Sequence, residues 1–323
     1  MNYCIPIRSM AALLASCFLP LCCLAQLPSA TKSLWDELLD VTEKRLKTTG
    51  PDYEIAQFIS MARESAWARR ETFFTLSRGY LDDSDTAKVS AAIEVLYRLR
   101  GFHPGQWIGG PTFEEVHADF FAKLDAVVFG HFSHFKSLHN DDVYKSLSLY
   151  LGTTHSAEAH SRLKEIVGLA KNDEQTLICL AWHRDPSDMD FLLPYMLADS
   201  PASRSLPYHF RNSYGQAASP YLRRAFSEAK SEATRLEAAF ELVHLRVPEG
   251  FVYLEDVALK DPEPQGKSSR PLERIKQFVA DYLASYIGVQ KASYIGVRKN
   301  ASSKEDIAAQ LRTARLLLCD TKR

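Results

Sequence analysis

Cysteine is scarce where it would matter. Of six cysteines in 323 residues, Cys4, Cys17, Cys22 and Cys23 lie near the start, leaving Cys179 and Cys319 and room for one disulfide at most. Cys179 sits inside the apolar run Leu177-Ile-Cys-Leu-Ala181, where a thiol reads as a small buried hydrophobe. Surplus positive charge is missing too: 39 Lys and Arg face 40 Asp and Glu, so nothing attracts a polyanion and nucleic acid is excluded as a partner. There is no Gly-rich phosphate loop and no Gly-x-Ser-x-Gly elbow. We therefore expect no cofactor and assign no catalytic residue. After the leader no apolar run is long enough to span a bilayer. No Gly/Pro/Ser-rich linker divides the chain, although its length exceeds the usual span of one compact core.

Met1 to Ala25 has the layout of an export signal: Arg8, an apolar run from Met10 to Leu24, and Cys23-Leu-Ala25 as a small-residue cleavage site. The expectation is a periplasmic or secreted protein whose mature chain begins at Gln26. A retained anchor, or lipid attachment at Cys22 or Cys23, would change location alone.

What the chain does have is leucine at matched spacing. Leu163, Leu192, Leu222 and Leu254 are each followed three and four residues later by apolar positions: Ile166/Val167, Tyr195/Met196, Ala225/Phe226 and Val257/Ala258. That spacing is one helix face. Fourteen residues after the first three stand Leu177, Leu206 and Leu236, which predicts a second helix per unit. A period of about 30 residues holding two amphipathic helices predicts a helical solenoid, because one unit cannot bury its own apolar face and neighbours must stack.

Before the repeats, helical stripes run through Leu34 to Leu46, Tyr53 to Arg78 (one long helix or two short ones) and Val89 to Leu99, with Asp82 to Asp85 offering N-caps. Gly101 to Pro111, with two prolines and four glycines, forbids a helix and could lie across the surface with Trp107 as an anchor. Further helices are predicted from Thr112 to Leu151, the last over Val143 to Leu151. Near the other end, Ala284 to Lys291 is copied in tandem as Ala292 to Lys299 with one difference, a tolerated duplication in a surface connection. Ser303 to Leu318 is predicted to form a capping helix. The expected division is 1–25 signal peptide, 26–152 N-terminal helical block with its irregular loop at 101–111, 153–287 repeats, and 288–323 duplicated segment and capping helix.

Phe191-Leu-Leu-Pro-Tyr-Met-Leu-Ala-Asp199 and Thr234-Arg-Leu-Glu-Ala-Ala-Phe-Glu-Leu242 resemble the opening and inner helices of HEAT repeats, and the period resembles the shorter HEAT-like units of bacterial proteins and phycobilin-lyase relatives. The resemblance implies an all-α fold: a right-handed α-solenoid of antiparallel helix pairs with an irregular N-terminal helical block. It also implies aspartates at the turns, present at Asp199 and Asp261, and an Arg235 that bridges to a neighbouring turn. Pro207 departs from the pattern and is expected to make its helix start near Leu206 or kink. On such a fold the expected function is a non-enzymatic scaffold that binds a protein or peptide on its concave face. The candidate contacts are Arg204, His209, Glu237 and Glu241, with Trp107 from the loop. The alternative is a metal-binding protein or metal-dependent enzyme. His131, His134, His139 and Asp142, with His117 and Asp119 upstream, are of zinc- or iron-ligating types.

Overall fold

The computed structural model describes residues 29–101, 113–170, 173–260, 274–279 and 303–319. The leader, loop residues 102–111 with Trp107, Asp261 and the duplicated copies lie outside the described residues. Helix is the regular structure throughout, with no strand among the described residues. None of the described helices is long and apolar enough to cross a membrane. The chain forms two compact units, Met1–His131 and Phe132–Arg323.

In the first unit, α1 (Ser29–Thr49) stops at Gly50, whose φ of +85° is open to glycine; a Cβ there would also come within 2.9 Å of the Tyr80 ring. Tyr53 to Arg78 is two helices, α2 (Tyr53–Ala68) and α3 (Arg70–Arg78), which meet at Arg69. Asp52 caps α2 by accepting from Ile55 N–H at 2.8 Å. Asp85 caps α4 (Thr86–Arg100) in the same way. Helices α5 (Phe113–Val116) and α6 (Ala118–Gly130) follow. The centre is aromatic. Trp67 meets Phe120 edge-on at 5.4 Å and lies under the Arg70 guanidinium at 4.8 Å. Arg69 ties the α2/α3 junction back to Asp36, Asp40 and Glu43 of α1, and buried Arg100 pairs with Asp125 of α6 at 2.8 Å.

The second unit has a different plan. After α7 (Phe132–Ser137) come α8 (Asp141–Thr153), α9 (Ala157–Ile166), α10 (Glu174–Trp182), α11 (Asp188–Leu197) and α12 (Pro201–Tyr214). A 3-10 turn, Gly215–Ala218, leads to α13 (Ser219–Glu228), α14 (Glu232–His244) and α15 (Pro248–Lys260). Residues 274–279 form α16, and Lys304–Cys319 forms α17. Helices α8, α10, α12 and α14 pack each on the next, while α9, α11, α13 and α15 pack beside members of that row. The matched leucines are its core: Leu163, Leu192, Leu206, Leu222 and Leu254 are 0% exposed, Leu177 1% and Leu236 4%. At the far end, Leu236, Phe240 and Leu254 share a cluster with Ile275 and Val279 of α16 and Ile307, Leu311 and Ala314 of α17.

Backbones approach closely at two glycines. A Cβ on Gly152 of α8 would meet Cys179 of α10 at 2.8 Å, and one on Gly250 of α15 would meet the Ala239 carbonyl of α14 at 2.7 Å. Two buried hydroxyl rungs cross the row. Ser148 of α8 lies 2.8 Å from Thr176 of α10, and Ser203 of α12 lies 2.9 Å from Thr234 of α14. Each serine gives its own proton to a carbonyl of its own chain segment, Tyr144 O and Ser200 O respectively, at 2.7 Å. The threonine of the later helix is therefore the donor in both rungs.

Three expectations change. Helix α8 was assigned to the N-terminal block ending at residue 152, but it opens the packed row, and the compact units divide at His131/Phe132. Leu147, thirty residues before Leu177 and fully buried, continues the leucine register one helix further back. Pro207 does not set the start of its helix: α12 begins at Pro201, where Ser200 and Ser203 form a reciprocal capping box and Pro201 supplies a helix-ready φ. Arg235 reaches the Tyr253 hydroxyl of the next helix, α15, rather than a neighbouring turn. Among the described residues Cys179 and Cys319 are not joined by a disulfide: Cys179 is fully buried and Cys319 donates to Arg246 O at 3.2 Å; burial pushes the Cys179 thiol up to about 12.

Candidate functional site

The row of α10, α12 and α14 carries a groove of about 690 Å³. Helix α12 supplies half of its lining because its capping box starts the helix five residues before Leu206 and turns Arg204, Ser205, Tyr208 and His209 onto one side while Leu206 and Phe210 go into the core. Helix α14 adds Glu237 and Glu241, one turn apart, and α10 adds Glu174 from its first residue. The α11–α12 turn adds Asp199 and Ser200.

Most carboxylates in the groove already have partners. Glu174 accepts from Ser205 Oγ at 2.7 Å, Glu237 pairs with Arg274 of α16, and Glu241 pairs with Arg211 of α12. Burial pushes the Glu241 carboxyl up from its ordinary value, and Arg211 opposes that shift. His209 receives the Trp182 indole N–H on Nδ1 at 3.4 Å. Indole can only donate, so the His209 proton is on Nε2. Burial holds the His209 pKa below its usual value, which keeps the ring neutral. The Arg211 guanidinium lies 5.5 Å from the ring centre of Tyr208, and that ring is 51% exposed. Arg204 is exposed and makes no ion pair or hydrogen bond to another described residue.

Of the predicted contacts, Arg204, His209, Glu237 and Glu241 lie in one groove; Trp107 lies outside the described residues. Tyr208, Ser205 and Glu174 were not singled out in the sequence. The period could have found Glu174, which stands thirty residues before Arg204.

The histidines of this segment lie in separate local settings. His131 Nδ1 is 2.7 Å from Val127 O and its Nε2 is 3.2 Å from Asp82. His117 precedes α6 against Trp67 at 5.1 Å, and burial lowers its pKa. His134 sits beside Phe135 on α7, and His139 occupies a turn with φ of +46°. Asn140 caps α8 by accepting from Asp142 N–H and Val143 N–H, leaving the Asp142 side chain exposed in the first turn. Among the described residues no three His, Cys, Asp or Glu side chains are grouped to hold a metal ion.

A second polar cluster was not anticipated. Asp188, fully buried at the start of α11, lies 2.6 Å from both His160 Nε2 and Lys164 Nζ of α9. The His160 ring is 5.4 Å from His183, which is 5.8 Å from His155. His183 is 3.0 Å from Leu151 O through Nε2, and its pKa is lowered, first by burial and then by the neighbouring histidines. This cluster fastens the α8–α9 and α10–α11 connections together.

No protein family, curated protein or solved structure matches the chain.

Proposed function

We propose that the protein is a non-enzymatic scaffold, a HEAT-like α-solenoid exported from the cell, that binds a protein or peptide in the groove of α10, α12 and α14. One observation supports this above the others. Arg204, His209, Glu237 and Glu241, chosen as inner-helix positions between core leucines on two helices packed together in the row, line one depression of about 690 Å³, a size ordinary for a ligand site. The row of consecutively packed helices supports the solenoid reading, since such stacks present a continuous side-chain face.

The test uses the full chain purified by affinity from the exported fraction. A stoichiometric partner that crosslinks from a photoreactive residue at position 208, and is lost with Tyr208→Ala, supports the reading. A partner retained equally by the wild type and by Tyr208→Ala removes the groove as its site.

A further inference from the structure

From the hydrogen-bonding inventory of the groove we infer that its ligand is a peptide carboxylate, held by Arg204 and His209 beside Tyr208. The inference rests on the scaffold reading above and names the chemistry of its partner. Formal charge alone would favour a cation, because Glu174, Asp199, Glu237 and Glu241 all line the groove. Occupancy decides otherwise. A bound ammonium or guanidinium gains most from carboxylates whose charge is not already balanced, and Glu237 and Glu241 are ion-paired with Arg274 and Arg211 while Glu174 accepts from Ser205. Asp199 is left as a single carboxylate, whereas a carboxylate ligand would meet two donors on α12, Arg204 and His209.

The donors are in the opposite state. Arg204 offers a planar fork of N–H groups with no partner among the described residues, a geometry that matches a carboxylate bidentately. His209 adds a neutral Nε2–H, fixed in that tautomer by the Trp182 indole and kept uncharged by burial. Arg204, Tyr208 and His209 follow one another at i, i+4 and i+5 on α12, so they share a face. The half-exposed Tyr208 ring, already flanked by Arg211, provides a flat apolar surface for the residue that bears the carboxylate. A ligand rich in acceptors completes this set.

The experiment titrates the full chain, followed by fluorescence anisotropy, with four labelled peptides sharing one neutral sequence. The first ends in a free carboxylate. The second is C-terminally amidated, the third is amidated with one internal glutamate, and the fourth is amidated with one internal lysine. Binding of the first or third, with the second and fourth at least about tenfold weaker, is expected from a charge-assisted bidentate contact; which of the two binds identifies a terminal or a side-chain carboxylate. Arg204→Gln should weaken that peptide by about tenfold or more while leaving thermal unfolding unchanged, since Arg204 is exposed and unpartnered. Equal binding of all four peptides, preference for the lysine peptide, indifference to Arg204→Gln, or no binding of either carboxylate peptide at millimolar concentration would each overturn the inference. A lysine or neutral peptide whose binding is lost in Tyr208→Ala would overturn the carboxylate while leaving the scaffold reading in place.

Discussion

The two units hold themselves together at different distances along the chain. In the second, the cross-helix bonds of the row recur at nearly constant separation: Trp182 to His209 spans 27 residues, Ser148 to Thr176 28, Arg211 to Glu241 30, and Ser203 to Thr234 31. In the first, Arg45 to Glu54 spans 9, Arg100 to Asp125 25, His131 to Asp82 49 and Lys123 to Glu71 52. The α8–α14 row is thus joined neighbour to neighbour, unlike the first unit and unlike the far end of the second, where Arg312 to Glu255 spans 57 residues and Cys319 to Arg246 spans 73. Stability in a stack is a sum over neighbouring interfaces; in a closed unit it is shared.

The largest test of this contrast places a charge in each core. Leu236→Asp should cost about 4 kcal/mol or more, and hydrogen exchange should show α14, α15 and α17 losing protection while α8 and α10 keep it. Leu96→Asp, at a fully buried position of α4, should expose all helices of the first unit together. Uniform loss across the second unit in Leu236→Asp would end the nearest-neighbour description.

Next come the glycines, where the sign itself differs. Gly250→Ala drives a methyl against the Ala239 carbonyl and should lower stability by about 1–3 kcal/mol. Gly130→Ala, with nothing within 4 Å of the added Cβ, should be neutral or stabilising by up to about 1 kcal/mol. Denaturant unfolding of the two variants reads both.

Smaller again is Ser203→Ala, which leaves the fully buried Thr234 hydroxyl without its acceptor and should cost about 1–2 kcal/mol. Adding Thr234→Val should recover most of that in the same measurement. A fourth effect is pH-dependent. His244, against Phe278 at 5.1 Å, is lowered by burial, with Arg211 adding to the shift, to about 4. It is neutral when folded, so its contribution is present above the unfolded value near 6.5 and is lost as pH falls from there to about 4. His183 and His209 are shifted the same way. Glu241, shifted upward, opposes them. His244→Gln should flatten the acid side of the second unit's stability profile between those limits, as followed by unfolding at stepped pH.

Periodicity was the legible part of this chain. Every repeat leucine named from spacing is buried, because a position that recurs on one helix face has only one environment to occupy. The groove was legible in part: Arg204, His209, Glu237 and Glu241, taken as positions between core leucines, line it, although Glu241 is buried there rather than facing outward. What spacing could not show was occupancy. That Glu241 is taken by Arg211 while Arg204 is free depends on how three helices are turned against one another, which no single helix encodes. The histidine knot around Asp188 was hidden for the same reason, since His155 and His183 come from two connections and His160 from α9, which only packing brings together. Of the two outcomes expected of Pro207, the start near Leu206 gives way to the stronger start at Ser200-Pro201, which leaves the proline inside the helix.

The two hydroxyl rungs have a further consequence for how such a chain can change over evolutionary time. In both, a serine on the earlier helix accepts from a threonine on the later one, so the joint reads in one direction. Because the rungs join α8 to α10 and α12 to α14, the row helices carry serine and threonine in alternation. Loss of a single helix pair, such as α9–α10, would bring serine-bearing α8 against serine-bearing α12 and leave no threonine to donate. Gain or loss of two pairs at a time keeps serine facing threonine, and the chemistry of two small side chains thus favours growth by that larger unit.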